Sequence, residues 1–114
     1  MTTYVIDYFE IPTSDTARSR AFFGAAFGWK TMSYGDTYDE IRDAGVLAGV
    51  NGDAGDRSAQ PLLGIRTSDI ASAEKAVVEA GGAITRKTYE YPGGRRFLFR
   101  EPGGAELLVY QPSN

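Results

Sequence analysis

Residues 8–29 read YFEIPTSDTARSRAFFGAAFGW: a strand-like run, a break, a capped helix and a glycine stop in one stretch. Tyr8, Phe9 and Ile11 suit a pleated, half-buried surface, and Pro12 ends the run by withdrawing a ladder N–H. A strand is therefore predicted over residues 4–11. Thr13, Ser14 and Asp15 then offer side-chain oxygens to the unpaired N–H groups of a helix start. From Ala17 to Phe27 the pattern places Ala21, Phe22, Ala25 and Ala26 on one stripe, and Gly28 supplies the residue on which helices close.

Outward from this stretch, Lys30 to Val50 holds short β-prone pieces broken at Gly35-Asp36 and Ala44-Gly45, which predicts three strands joined by tight turns. Residues 51–60 have almost no apolar content and read as a linker. The order then restarts. Leu62 to Thr67 reads as a strand, Asp69 caps a helix with Ile70, Ala73, Val77 and Ala80 on one face, and Gly81-Gly82 end it. Arg86–Tyr91, Arg96–Arg100 and Ala105–Tyr110 follow as strands, separated by Pro92-Gly93-Gly94 and Pro102-Gly103-Gly104. Laying one half over the other brings Asp15 onto Asp69, Gly28 onto Gly82 and Tyr8 onto Leu62. The chain is thus expected to be one α+β domain, residues 1–114, made of two βαβββ modules over about 1–52 and 60–114.

Bulk properties fit one folded core: 114 residues, 42% hydrophobic and 24% charged. A net charge of −3 argues against a nucleic-acid surface, which needs clustered cations to displace counterions from phosphates. No apolar run approaches the roughly 20 residues of a membrane helix, and the opening Met1-Thr2-Thr3-Tyr4 lacks a leader's basic and apolar regions, so a cytoplasmic location without membrane or nucleic-acid partners is expected. Without cysteine there is no thiolate chemistry or sulfur metal site. Without histidine the chain lacks the side chain that titrates near neutrality and the commonest ligand for zinc, iron and nickel.

Tyr8-Phe9-Glu10-Ile11-Pro12, Asp15, Ala21-Phe22-Phe23-Gly24 and Phe27-Gly28-Trp29 resemble the opening of glyoxalase/bleomycin-resistance/dioxygenase (vicinal oxygen chelate) proteins, where an Asp-capped helix ends in a phrase like F-Y-x-x-x-F-G-W. Asp69 to Gly82 and Phe99-Arg100-Glu101-Pro102-Gly103-Gly104 extend the resemblance over nearly the whole chain. It implies two βαβββ modules whose curved mixed sheets form a cup, usually in a homodimer, with a small organic ligand on the concave face. It also implies a family that hosts isomerases, lyases, dioxygenases, antibiotic-modifying enzymes and drug-binding proteins. In metal-dependent members His, Gln or Glu occupies the first strand of each module and Glu the last strand. Those places hold Tyr8, Leu62 and Leu108, so the resemblance implies a member without the usual metal ligands and no cofactor.

Strand parity assigns Phe9, Ile11, Leu63, Ile65, Leu107 and Val109 to the helix side as core. The opposite face then carries Tyr8, Glu10, Leu62, Gly64, Arg66, Glu106, Leu108 and Tyr110, a mixture suited to ligand binding. Glu10 is the candidate acid or base; its structural alternative is an ion pair with Arg66, and that of Glu106 is a solvated rim. A Mg²⁺ or Ca²⁺ site on Glu10 and Glu106 lacks a third ligand. Arg66 suits a carboxylate or phosphate, and Tyr8 and Tyr110 suit aromatic or sugar-like ligands. Arg95-Arg96 read as a solvated hairpin tip ahead of an anion-binding turn, and Asp53-Ala54-Gly55-Asp56 as linker. Phe22, Phe23, Phe27 and Trp29 are expected to form the apolar layer between helix and sheet. Two functions follow as expectations: a metal-free homodimeric binding protein of the sequestration type, or a metal-independent enzyme using Glu10 with Tyr8 or Arg66 stabilising developing charge.

Overall fold

The computed structural model describes residues 3–113. In chain order its elements are β1 (Val5–Pro12), α1 (Thr16–Phe27), β2 (Lys30–Ser33), β3 (Tyr38–Arg42), β4 (Leu47–Asn51), β5 (Leu62–Arg66), α2 (Ile70–Glu79), β6 (Ala83–Tyr91), β7 (Gly94–Arg100) and β8 (Glu106–Pro112). The class is α+β with mixed strand pairing, and βαβββ occurs twice. The chain divides into two compact units: Tyr8–Leu62, and the segment ending at Asp7 together with Leu63 onward.

In the Tyr8–Leu62 unit the strand order is β2-β3-β4-β1. β1 runs parallel to β4, in register from Tyr8↔Leu47 to Pro12↔Asn51, while β3 pairs antiparallel with both β2 and β4. Asp15 caps α1 by accepting from the Arg18 N–H, and Gly28 closes it at φ 71° with its N–H on the Gly24 carbonyl. The core is Ile41, Ala48 and Val50, with Ile11, Phe23, Trp29 and Ala44 packed against it.

The structure departs from the sequence expectation on α1, at Phe9 and at residues 51–60. The stripe of α1 turned toward the sheet is Thr16, Ser19, Arg20, Phe23 and Gly24, whereas Ala21, Phe22, Ala25 and Ala26 face outward. Phe22 and Phe27 are each 59% exposed, so only Phe23 and Trp29 serve the layer between helix and strands. Apolar periodicity alone does not choose between adjacent Phe22 and Phe23. The choice is made by a polar anchor: Arg20 on α1 reaches fully buried Asp39 on β3 at 2.9 Å, and the Ser19 and Thr13 hydroxyls meet at 2.7 Å. Phe9 is likewise 38% exposed and not core.

Residues 51–60 are not a free linker: Asn51 ends β4 and the residues after it form a tied loop. Gly52 N–H donates to the Thr37 carbonyl at 2.7 Å, Arg57 Nη1 donates to the Thr13 carbonyl at 2.6 Å, and Asp53 O accepts from the Asp56 and Arg57 N–H groups. Polar composition hid this, because the loop is held by backbone hydrogen bonds and one guanidinium instead of apolar contacts.

In the other unit the order is β5-β8-β7-β6, with β5 parallel to β8 and the remaining pairs antiparallel. Asp69 caps α2 by accepting from Ser72 N–H. Ile70 and Ala73 on α2 join Phe97, Phe99 and Val109 in the core, and Ile65, Val77, Ile84 and Leu107 pack against it. Strand parity predicts Ile65, Leu107 and Val109 and helical spacing Ile70, Ala73 and Val77, whereas Leu63, expected as core, is half-buried and Ile84 precedes the strand expected from Arg86. In the β7–β8 turn Glu101 accepts from the Gly103 and Ala105 N–H groups, and Gly104 takes φ 107°. Among the described residues no helix is long and apolar enough to cross a membrane.

Candidate functional site

Tyr8 and Glu10 stand two apart on β1, so both project from the same side of the strand. Glu10 is only 2% exposed, and both its oxygens accept hydrogen bonds: Oε1 from the Tyr8 hydroxyl at 3.1 Å and Oε2 from Asn51 Nδ2 at 3.3 Å. A buried carboxylate requires such donors to offset lost hydration. The Tyr8 oxygen also lies 2.9 Å from the Tyr38 hydroxyl. Since the single Tyr8 proton goes to Glu10, Tyr38 donates in that contact, and the order is Tyr38 to Tyr8 to Glu10.

The β-ladder explains the convergence. Glu10 pairs with Gly49, and Gly49 with Glu40, so Tyr8, Glu10, Tyr38 and Asn51 come to one side of three neighbouring strands. Gly49 makes room for them: a Cβ there would lie 2.0 Å from the Tyr38 oxygen and 2.5 Å from that of Tyr8. Asn51 is fixed by its own bonds. Its Oδ1 accepts from the Asp53 N–H at 2.9 Å, and its Nδ2 donates to Asp56 Oδ2 at 2.9 Å as well as to Glu10. The tied loop is therefore latched to the buried carboxylate through one amide.

The remaining predicted site residues fall as follows. Leu62 closes the same unit at 2% exposure. In the other unit Leu108 is fully buried, and Tyr110 donates to Asp7 Oδ1 at 2.5 Å. Burial first, and then the Asp7 acceptor, push the Tyr110 phenol above its ordinary value, so it stays protonated across the physiological range. Arg66, half exposed, has its Nη1 3.8 Å from Asp7 Oδ2. Glu106 is half-buried and accepts from the Thr85 hydroxyl at 2.6 Å.

Sequence reasoning missed Tyr38, Asn51, Asp56 and Asp7. Tyr38 was accessible through parity on β3, had the register been known. Composition places Asn51 and Asp56 in a linker because their roles depend on the loop closing, which composition does not encode. Arg95-Arg96 is not a solvated tip: Arg95 is exposed, but Arg96 is 5% exposed on β7, and the alternation of a strand separates the two.

The three family metal places do not fit a divalent ion. Leu62 and Leu108 offer no donor atom, and the Tyr8 hydroxyl is engaged with Glu10 and Tyr38. Among the described residues no group of three or more His, Cys, Asp or Glu side chains is placed to hold a metal.

The chain belongs to the Glyoxalase/Bleomycin resistance protein/Dioxygenase superfamily, whose family model matches residues 5–109. Solved structures share the fold at low identity. A Legionella pneumophila protein described as an NAD-dependent benzaldehyde dehydrogenase superposes with TM-score 0.79 at 11% identity, covering 94% of this chain and 99% of its own. Methylmalonyl-CoA epimerase from Mycobacterium tuberculosis gives 0.72 at 12%, covering 96% and 88%. A glyoxalase/bleomycin resistance protein/dioxygenase superfamily member from Vibrio splendidus 12B01 gives 0.69 at 17%, covering 99% and 100%. No curated protein matches the chain.

Proposed function

We propose that this superfamily member is a homodimeric binding protein for a small organic molecule, working without the family's metal and recognising its ligand at the Tyr8–Tyr38–Glu10 network. The observation that carries the reading is the buried Glu10 carboxylate on β1, held by Tyr8 and Asn51. A carboxylate at the end of two tyrosine hydroxyls recognises a hydroxyl or amine by hydrogen bonding, and the tyrosine rings supply flat apolar surface. A sequestration role in the cytoplasm requires nothing further of the site.

A second reading rests on the ordered hydroxyl contacts. The Tyr38-to-Tyr8-to-Glu10 sequence is a route along which a proton moves one oxygen at a time, which suits Glu10 as a metal-independent acid or base. Screening a library of small hydroxylated and amine compounds by thermal shift, on wild type and Glu10→Gln in parallel, tests the proposal. Binding protein behaviour predicts hits whose stabilisation weakens in E10Q, with the compound recovered unchanged. Recovery of a transformed compound by wild type but not by E10Q supports the second reading. Hits indifferent to Glu10 contradict both.

A further inference from the structure

Asn51 ends β4 and is followed directly by Gly52, and the structure requires each residue for its own reason. A Cβ at position 52 would lie 2.3 Å from the hydroxyl oxygen of buried Thr16, so the chain passes there as glycine. At position 51 a carboxamide fits its surroundings. Its Nδ2 donates to Glu10 Oε2 at 3.3 Å and to Asp56 Oδ2 at 2.9 Å, while its Oδ1 accepts from the Asp53 N–H at 2.9 Å. Asparagine is a thermolabile residue, and most so before glycine, whose backbone nitrogen no side chain shields.

We propose that Asn51–Gly52 is a site of spontaneous deamidation gated by the tied loop, and that the reaction releases the loop irreversibly. The Gly52 backbone nitrogen attacks Asn51 Cγ, its proton leaves with the displaced amide as ammonia, and a cyclic succinimide forms. Water then adds to either ring carbonyl, which leaves aspartate or isoaspartate at position 51. The closed loop blocks each requirement of the first step. Gly52 donates its N–H to the Thr37 carbonyl at 2.7 Å, and the Asn51 carbonyl accepts from the Thr13 N–H at 3.0 Å. Strand pairing with Pro12 and Tyr38 keeps Asn51 extended, which holds its Cγ away from the next nitrogen. Asn51 is also buried, at 4% exposure. Reaction therefore needs the chain around Gly52 to open locally, a fluctuation that costs less than unfolding the whole. Once formed, a carboxylate at position 51 faces Glu10 and Asp56 where an amide donated to both, and like charges oppose reclosure. Either product deprives Glu10 of its Asn51 donor. This inference rests on the Asn51 and Gly52 contacts and not on the ligand reading.

The test is incubation of the intact protein in warm, mildly alkaline buffer, beside the same chain unfolded in guanidinium chloride. Peptide mapping by mass spectrometry separates asparagine, aspartate and isoaspartate at position 51. The gate predicts deamidation more than about tenfold slower in the folded chain, as for a reaction confined to an open form populated at a tenth or less. Arg57→Gln removes the guanidinium that donates to the Thr13 and Gly52 carbonyls, and should react several times faster than folded wild type. Asn51→Asp, made directly, should lose hydrogen-exchange protection at the Gly52, Asp56 and Arg57 N–H groups while α2 keeps its own. Comparable rates in the folded and unfolded chains, R57Q no faster than wild type, or loop protection retained in N51D overturns the proposal.

Discussion

The hydroxyls of Tyr8 and Tyr38, thirty residues apart in sequence, meet at 2.9 Å, and proton counting makes Tyr38 the donor. The two tyrosines therefore do unequal work. Tyr8→Phe removes a donor to a buried carboxylate and is expected to cost about 1–3 kcal/mol, whereas Tyr38→Phe breaks a neutral contact between hydroxyls at a half-buried position and costs about 1 kcal/mol. Urea denaturation of both variants checks the order; a larger loss for Y38F contradicts the assigned direction.

Gly49 is the space-maker of this network. Gly49→Ala puts a methyl 2.0 Å from the Tyr38 oxygen and 2.5 Å from the Tyr8 oxygen. Tyr38 is half-buried and yields at its tip, while Tyr8 is buried and does not. The substitution is expected to destabilise by about 1–3 kcal/mol and to part the two hydroxyls. Double-mutant coupling between G49A and Y8F in denaturant melts measures this, and strict additivity counts against it.

The aromatic residues of α1 separate from those of the core. Phe97→Ala removes a fully buried ring and should cost about 3–5 kcal/mol, whereas Phe22→Ala and Phe27→Ala, at 59% exposed positions, should stay within about 1 kcal/mol. Thermal melts of the three variants decide whether the outward stripe of α1 is correctly placed.

Acid stability follows from two carboxylates. Hydrogen bonds from the Ala105 and Gly103 N–H groups hold the Glu101 pKa below its ordinary value, and the Ser72 hydroxyl and N–H do the same for Asp69. A lowered folded pKa means that the unfolded chain binds protons first, so the contribution is present above the unfolded pKa and is lost as pH falls through the folded one. Glu101→Gln and Asp69→Asn should lower Tm at pH 7 and converge with wild type at acid pH. A Tm difference that persists below both folded pKa values contradicts the assignment.

Much of this fold was legible in the sequence, because strand breaks, Asp caps and glycine stops are local signals. Asp15, Gly28 and Asp69 act where local chemistry places them. Ile65, Leu107 and Val109 follow from strand parity once the strands are known. The errors arise where a non-local polar contact decides. Arg20 reaching Asp39 selects the buried face of α1, and Asn51 bridging Glu10 and Asp56 turns an apparent linker into part of the site. Tyr8 and Glu10 were legible as neighbours on one face, but their partners Tyr38 and Asn51 required the register of β3 and β4.

The most direct test of the proposed metal-free site is elemental mass spectrometry of the untagged protein, purified gently, incubated with manganese, nickel, zinc and magnesium ions and then desalted. The account predicts metal far below one ion per chain, unchanged in Glu10→Gln. Near-stoichiometric metal in the wild type that is lost in E10Q would contradict it and make Glu10 a metal ligand.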